Sequence, residues 1–178
     1  RGTDVDLFFQ AVKENEEARM TTEPVVEVTN LFRKFGDRTV IDNLSFTIHR
    51  GETLVIMGGS GCGKSTLLRH IIGVMRPTAG SIKIFGEEIT TMNDVQIAEV
   101  RRRFGMLFQS GALLASLTVG ENVALPLFQH TDLSPDEIAG TVTNKLEIVG
   151  LSGFENLKPA EISGGMRKRV GLARALAL

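Results

Sequence analysis

The chain has 178 residues, 42% of them hydrophobic and 23% charged, enough for one compact domain of ordinary soluble α/β composition. A net charge of −1 provides no global field to gather nucleic acid or an anionic membrane surface, and no apolar run approaches the ~20 residues that span a bilayer. A single cysteine, Cys62, excludes an internal disulfide and fits a reducing compartment; Asp4, Asp6, Glu14, Glu16 and Glu17 make the N-terminal stretch too acidic for a signal peptide.

Residues 1–22 read as a polar extension, expected to be poorly ordered, in which Leu7, Phe8 and Val12 allow a short amphipathic helix. From Pro24 the pattern becomes regular. Val26 and Val28, then Leu44, Phe46 and Ile48, alternate with polar neighbours as half-buried strands do. Leu54 to Met57 is a continuous apolar run, which predicts a parallel strand covered on both faces. A helix should follow the next glycines, with Leu67, Leu68, Ile71, Ile72 and Met75 on one stripe. Ile82 and Ile84 mark another strand, and Gly86 a turn. A helix over 93–102 should lead into a buried run, Phe104 to Phe108. Ser134, Pro135 and Glu137 form a capping box with proline in the first turn. The helix they open should bury Ile138, Val142, Leu146 and Val149 and end at Gly150. A last helix near Gly165 presents Met166, Val170, Ala173 and Ala177 at helical spacing.

Between the apolar run and the first helix, Gly58, Gly59, Ser60, Gly61, Cys62, Gly63, Lys64 and Ser65 satisfy G-x-x-x-x-G-K-S/T. Glycines let successive backbone N–H groups turn inward as an anion nest, and the helix beyond, through Thr66, offers its unpaired N–H groups and positive dipole end. Lys64 is the candidate contact to the β- and γ-phosphates, and the Ser65 hydroxyl the candidate Mg²⁺ ligand. An accidental glycine turn is the competing reading, but the strand before and the striped helix after favour phosphate binding. The loop leaves kinases, GTPases and ATPases open.

Ile162, Ser163, Gly164, Gly165 and Met166 resemble the LSGGQ signature of ABC ATPases, and Arg167 to Leu178 resemble the basic helix after it. Gln109 matches the family's Q-loop glutamine, and Leu31 to Gly36 resemble the segment carrying an adenine-stacking aromatic, here Phe35. The four motifs stand in family order over residues 25–178. Met166 and Ile162 depart from the usual glutamine and leucine, and Met166 cannot donate a side-chain hydrogen bond. The S-G-G-M form, with Phe108 to Leu113 and Thr118 to Leu127, is most similar to the Mce-linked, Mla-type phospholipid-transport ATPases.

The resemblance implies a P-loop NTPase, RecA-like α/β core with an antiparallel β subdomain and an inserted α-helical subdomain. Residues 23–178 would form the ATP-binding domain: a core over 23–109, a helical subdomain over 110–162, and the signature and its helix over 163–178. It implies ATP and Mg²⁺ as cofactors, with Lys64 and Gln109 catalytic and Ser65 and Gln109 at the metal. Two copies would face each other head to tail, Ser163, Gly164 and Gly165 of one closing on the γ-phosphate held by the other. Expected partners are that second subunit, a membrane permease and a Mce-domain lipid-binding protein, with no nucleic acid; the place is cytoplasmic, on the inner face of the membrane. Family members continue into a strand ending Asp-Glu, a D-loop and a switch histidine, which lie beyond Leu178. The 178 residues alone are therefore expected to hydrolyse ATP negligibly and to be unstable. A soluble ABC protein of translation or repair, or a module that binds nucleotide without hydrolysing it, are the alternatives.

Other residues read more blandly. Phe35 could be a core aromatic and Gln109 a polar strand end. Arg167, Lys168 and Arg169 could line the dimer interface, but a solvated helix face is the preferred reading. His49, His70 and His130 lack metal-ligand spacing.

Overall fold

Alternating apolar residues over 24–49 form a long antiparallel hairpin: β2 (Pro24–Phe35) and β3 (Arg38–His49) pair Val28 with Phe46 and Val26 with Ile48. The computed structural model describes residues 8–11 and 23–178. These fall into two compact units, residues 1–98 and 99–178.

In the first unit, β2 lies between β3 and β5 (Ala79–Ile84), and β6 (Glu87–Glu88) completes the order β3-β2-β5-β6. The ladder is irregular between Val28 and Leu31, where Asn30 takes φ 48°. The Ser45 hydroxyl fills the gap, accepting from the Asn30 N–H at 2.8 Å and donating to Asn30 Oδ1 at 3.2 Å. Val28, Leu31, Ile41, Ile82 and Ile84 from this sheet are buried, as is Leu67 of α1 (Lys64–Ile71). The helix stops at Ile71, before Met75, because the chain turns left-handed at Gly73 (φ 68°). Helix α2 (Asp94–Arg101) forms where expected, opened by reciprocal 3.0 Å bonds between Asn93 and Gln96.

Two strand expectations are corrected. Strand β4 (Leu54–Met57) is not a parallel strand covered on both faces. It pairs antiparallel with β1 (Phe8–Ala11), and alternate side chains stay exposed, Val55 at 39% and Met57 at 43%. A parallel strand needs a parallel ladder partner, and β1, which runs antiparallel, is the only ladder partner of β4 among the described residues. β1 also replaces part of the expected N-terminal helix, whose Leu7 and Val12 lie outside the described residues, as does most of the extension expected to be poorly ordered. Phe104–Phe108 forms no strand, and Leu107 and Phe108 are exposed. Apolar content supplies strand propensity but no ladder partner. Here the Gly105 backbone instead lies directly against the Ala175 carbonyl.

The second unit packs three helices: α3 (Val119–His130), α4 (Pro135–Ile148) and α5 (Gly164–Ala175). Its core contains Ile138, Val142, Leu146 and Val149 as expected, with Val123 and Leu127 of α3 and Val170, Ala173 and Ala177. Ser134 and Glu137 make the expected capping box, and Gly150 (φ 67°) follows the C-cap. The sequence reading missed α3, although Thr118 and Glu121 form a second capping box at its start. Asn122 is fully buried there. Its Oδ1 accepts from the Leu114 N–H at 2.8 Å, and its Nδ2 donates to the Thr118 and Leu114 carbonyls at 2.8 and 3.1 Å. No helix among the described residues is long and apolar enough to cross a membrane.

Candidate functional site

The glycine-rich loop leaves β4 at Gly58 and becomes α1 at Lys64. Gly61 (φ 79°) and Gly63 (φ 102°) adopt left-handed backbone, and a side chain at Gly63 would also meet the Val40 carbonyl at 3.1 Å. Only glycine satisfies both the angle and the approach there. Gly58, Gly59, Ser60 and Gly61 are exposed, Cys62 and Lys64 half-buried, Ser65 exposed and Thr66 half-buried.

Gly63 is the N-cap of α1, and it provides no side-chain cap. The first helical hydrogen bond runs from the Leu67 N–H to the Gly63 carbonyl at 2.8 Å. No described residue accepts from the N–H of Lys64, Ser65 or Thr66. The Lys64 ammonium curls back over the loop, donating to the Gly58 and Gly59 carbonyls, each at 2.7 Å, and to Cys62 Sγ at 3.3 Å. The cation is therefore held at the mouth of the loop, where a phosphate oxygen could replace one of these acceptors.

The β2–β3 turn reaches the same loop. Arg38 Nη2 donates to the Gly61 carbonyl at 3.3 Å, and Arg38 pairs across the turn with Phe35. Phe35 is 42% exposed, not a core aromatic. Behind the loop, His70 is buried on α1 with Nδ1 2.7 Å from the Met75 carbonyl and Nε2 unpartnered; burial pushes its pKa below the usual 6.5. Neither Arg38 nor His70 was a candidate from sequence, since only tertiary contacts give them their roles.

In the second unit, Gln109 is exposed at a turn, and Gly111 N–H bonds back to the Phe108 carbonyl at 2.9 Å. Ser163 is the N-cap of α5: its Oγ accepts from the Met166 N–H at 3.2 Å and its carbonyl from the Arg167 N–H at 2.9 Å. Gly164 and Gly165 are exposed, and no described residue accepts from their N–H groups. Met166 thus joins the motif through its backbone, and a glutamine side chain is not needed to close the turn. The basic run after it is more than a solvated face. Arg167 Nη1 donates to the Pro159 and Ile162 carbonyls at 3.2 and 3.1 Å, and Arg169 Nη1 to those of Val149 and Gly150 at 3.0 and 3.2 Å; Lys168 is exposed. Among the described residues no cluster of three or more His, Cys, Asp or Glu could hold a metal ion. The structure thus gathers Phe35 and Gly58–Thr66 in the first unit, and Gln109 and Ser163–Gly165 in the second.

Comparison with known proteins agrees with this geometry. The family described as ABC transporter matches residues 41–178. The chain is 47% identical over 154 residues to the intermembrane phospholipid transport system ATP-binding protein MlaF of Haemophilus influenzae, covering 86% of this chain and 58% of that protein. It is 50% identical over 143 residues to MlaF of Escherichia coli, covering 80% and 53%. A Mycobacterium leprae protein named "Probable ribonucleotide transport ATP-binding protein mkl" is 44% identical over 162 residues, covering 91% and 47%. The chain spans about half the length of the curated relatives it matches. Among solved structures, the dimeric post-hydrolysis state of the ATP-binding cassette MJ0796 bound to ADP and Pi superposes with a TM-score of 0.76 at 34% identity, covering 85% of this chain and 69% of that one. CbiO1 from Clostridium perfringens, part of the ABC transporter complex cbiONQ, gives a TM-score of 0.76 at 26% identity, covering 87% and 62%. With a family match over residues 41–178, most of its length, the chain belongs to the ABC transporter family.

Proposed function

We propose that the chain is the nucleotide-holding part of an ATP-binding subunit that powers a membrane transporter, with phospholipid or another lipid as cargo. One observation carries the nucleotide role. Helices α2, α3 and α4 have acids in their first turns, Asp94, Glu121 and the pair Asp136 and Glu137, whereas α1 and α5 have none. A carboxylate at a helix N-terminus neutralises the dipole and repels an anion. The two helices that open on Gly63 and Ser163 keep that end free for phosphate.

In this reading Lys64 exchanges a loop carbonyl for a β- or γ-phosphate oxygen, and Phe35 stacks on the base. The Ser65 hydroxyl and the Gln109 side-chain oxygen are hard donors of the kind Mg²⁺ takes, and both residues are exposed. Mg²⁺ held by such donors would supply neutralisation of the charge on the β- and γ-phosphates. Ser163, Gly164 and Gly165 of a second copy close on the γ-phosphate through N–H groups and the α5 dipole, so ATP binding favours the dimer. The names of the MlaF relatives support lipid as cargo; a permease and a Mce-domain protein at the inner face of the membrane are the partners that the sequence resemblance implies. The mkl relative, named for ribonucleotide transport, supports the same ATP site with a different cargo.

Sedimentation of the full-length protein tests the reading. MgATP should drive dimerisation of the wild type; Ser163→Arg should remain monomeric while still binding ATP. ATP-independent sedimentation of the wild type would contradict it. Recovery with ribosomes and no permease would favour the soluble class instead.

A further inference from the structure

The end of β2 carries an arrangement that the phosphate loop does not explain. The Arg33 guanidinium carbon lies 4.2 Å from the centre of the Phe35 ring. Arg33 is anchored by its Nη1, which donates to the Arg76 carbonyl at 3.0 Å. Arg76 is fixed in turn, its Nη2 donating to the Met92 carbonyl at 2.6 Å. The cation is thus held over one face of an aromatic ring that remains 42% exposed. That ring is the cross-strand partner of Arg38, which reaches Gly61 of the phosphate loop.

We propose that Arg33 is a positioning residue for nucleobase binding: its guanidinium backs the Phe35 ring and fixes the plane on which the base stacks. This rests on the nucleotide reading of Gly58–Ser65 and of Phe35, and adds to it a residue to which no motif gives a role. The physical reasons are two. A free Phe35 would lose rotamer freedom when a base bound, and the guanidinium removes that cost beforehand through a cation–π contact. A cation on one face also draws π density toward itself, so the opposite face becomes less electron-rich and stacks better on a purine. The contact is purely a stack, so it should act on the base and leave phosphate binding alone.

The test is a double-mutant cycle in the full-length protein, with affinities for MgATP and for inorganic tripolyphosphate measured by calorimetry. Arg33→Gln should weaken ATP roughly three- to tenfold with tripolyphosphate unchanged. Phe35→Ala should weaken ATP at least about fivefold. In the Phe35→Ala background, Arg33→Gln should cost nothing more, and Arg33→Lys, which keeps charge without a planar stack, should lie between wild type and Arg33→Gln. Three results overturn the proposal: parallel loss of ATP and tripolyphosphate in Arg33→Gln, the same loss of ATP with or without Phe35, or no loss of ATP at all. Failure of the underlying reading looks different, since the wild type would then bind neither MgATP nor tripolyphosphate.

Discussion

Arg174 Nη2 donates to the Gly111 carbonyl at 2.7 Å, and its Nη1 donates to the neighbouring Ala112 carbonyl at 2.8 Å. The helix that begins at Ser163 therefore grips the loop two residues beyond Gln109. The grip is close on the backbone as well. Gly111 has φ 78°, a side chain on it would lie 2.7 Å from the Arg167 carbonyl, and one on Gly171 would lie 2.9 Å from the Gly111 Cα. Burial lowers the Arg174 pKa from its ordinary value, yet a guanidinium stays charged at any working pH. Within this unit, the Gln109 loop and the signature helix are tied into one body.

Breaking that tie should destabilise the protein. Arg174→Gln removes two bonds from a charged donor, worth about 1.5–3 kcal/mol together. Gly171→Ala forces the backbones apart, at about 1–3 kcal/mol. Urea denaturation should show lower midpoints with unchanged slope for both variants. An unchanged midpoint in Gly171→Ala would mean that the contact yields freely.

Asn122 should be among the most sensitive positions of the helical unit. Asn122→Ala strands the Leu114 N–H, while the Leu114 carbonyl keeps its bond from the Leu117 N–H, and the unmet donor costs about 1–3 kcal/mol. Asn122→Asp should fail too, since a carboxylate cannot donate to the Thr118 and Leu114 carbonyls. Thermal unfolding should show both variants melting well below wild type, and a near-normal melting point for Asn122→Ala would count against this role.

Acid should weaken the unit that carries the phosphate loop. His70 has its pKa lowered from 6.5, first by burial and further by Arg33, while its bond to the Met75 carbonyl opposes the shift. The unfolded chain therefore takes up the proton before the native one does. The stability that neutral His70 contributes is complete above about pH 6.5 and is lost as pH falls through the lowered native value. His70→Asn, whose amide can keep the Met75 bond, should flatten that slope in urea titrations between pH 7 and 5. An identical slope in wild type and variant would assign the acid sensitivity to other groups.

Local chemistry in this chain could be read from sequence, and long-range pairing could not. The phosphate loop, the Ser134 cap, the α4 core positions and Ser163 depend on residues within a few positions of one another, so their pattern survives in the linear text. The Thr118 and Glu121 box was equally local and could have revealed α3. Leu54–Met57 and Phe104–Phe108 have the composition of buried strands, but a strand's partners lie far away in sequence. Arg33, Arg38, His70, Asn122 and Arg174 act through carbonyls or rings whose positions only the fold determines.

The phosphate role of the bare α1 N-terminus is tested most directly by giving it the acid that its neighbours have. Thr66 occupies the third helical position of α1, as Glu121 does in α3 and Glu137 in α4. Thr66→Glu should leave the helix as stable as before or slightly more so, because a carboxylate there suits the dipole. Calorimetry should show MgATP affinity reduced by at least about tenfold, because the same carboxylate faces the phosphates. Wild-type affinity in a folded Thr66→Glu protein would contradict phosphate binding at Gly58–Thr66.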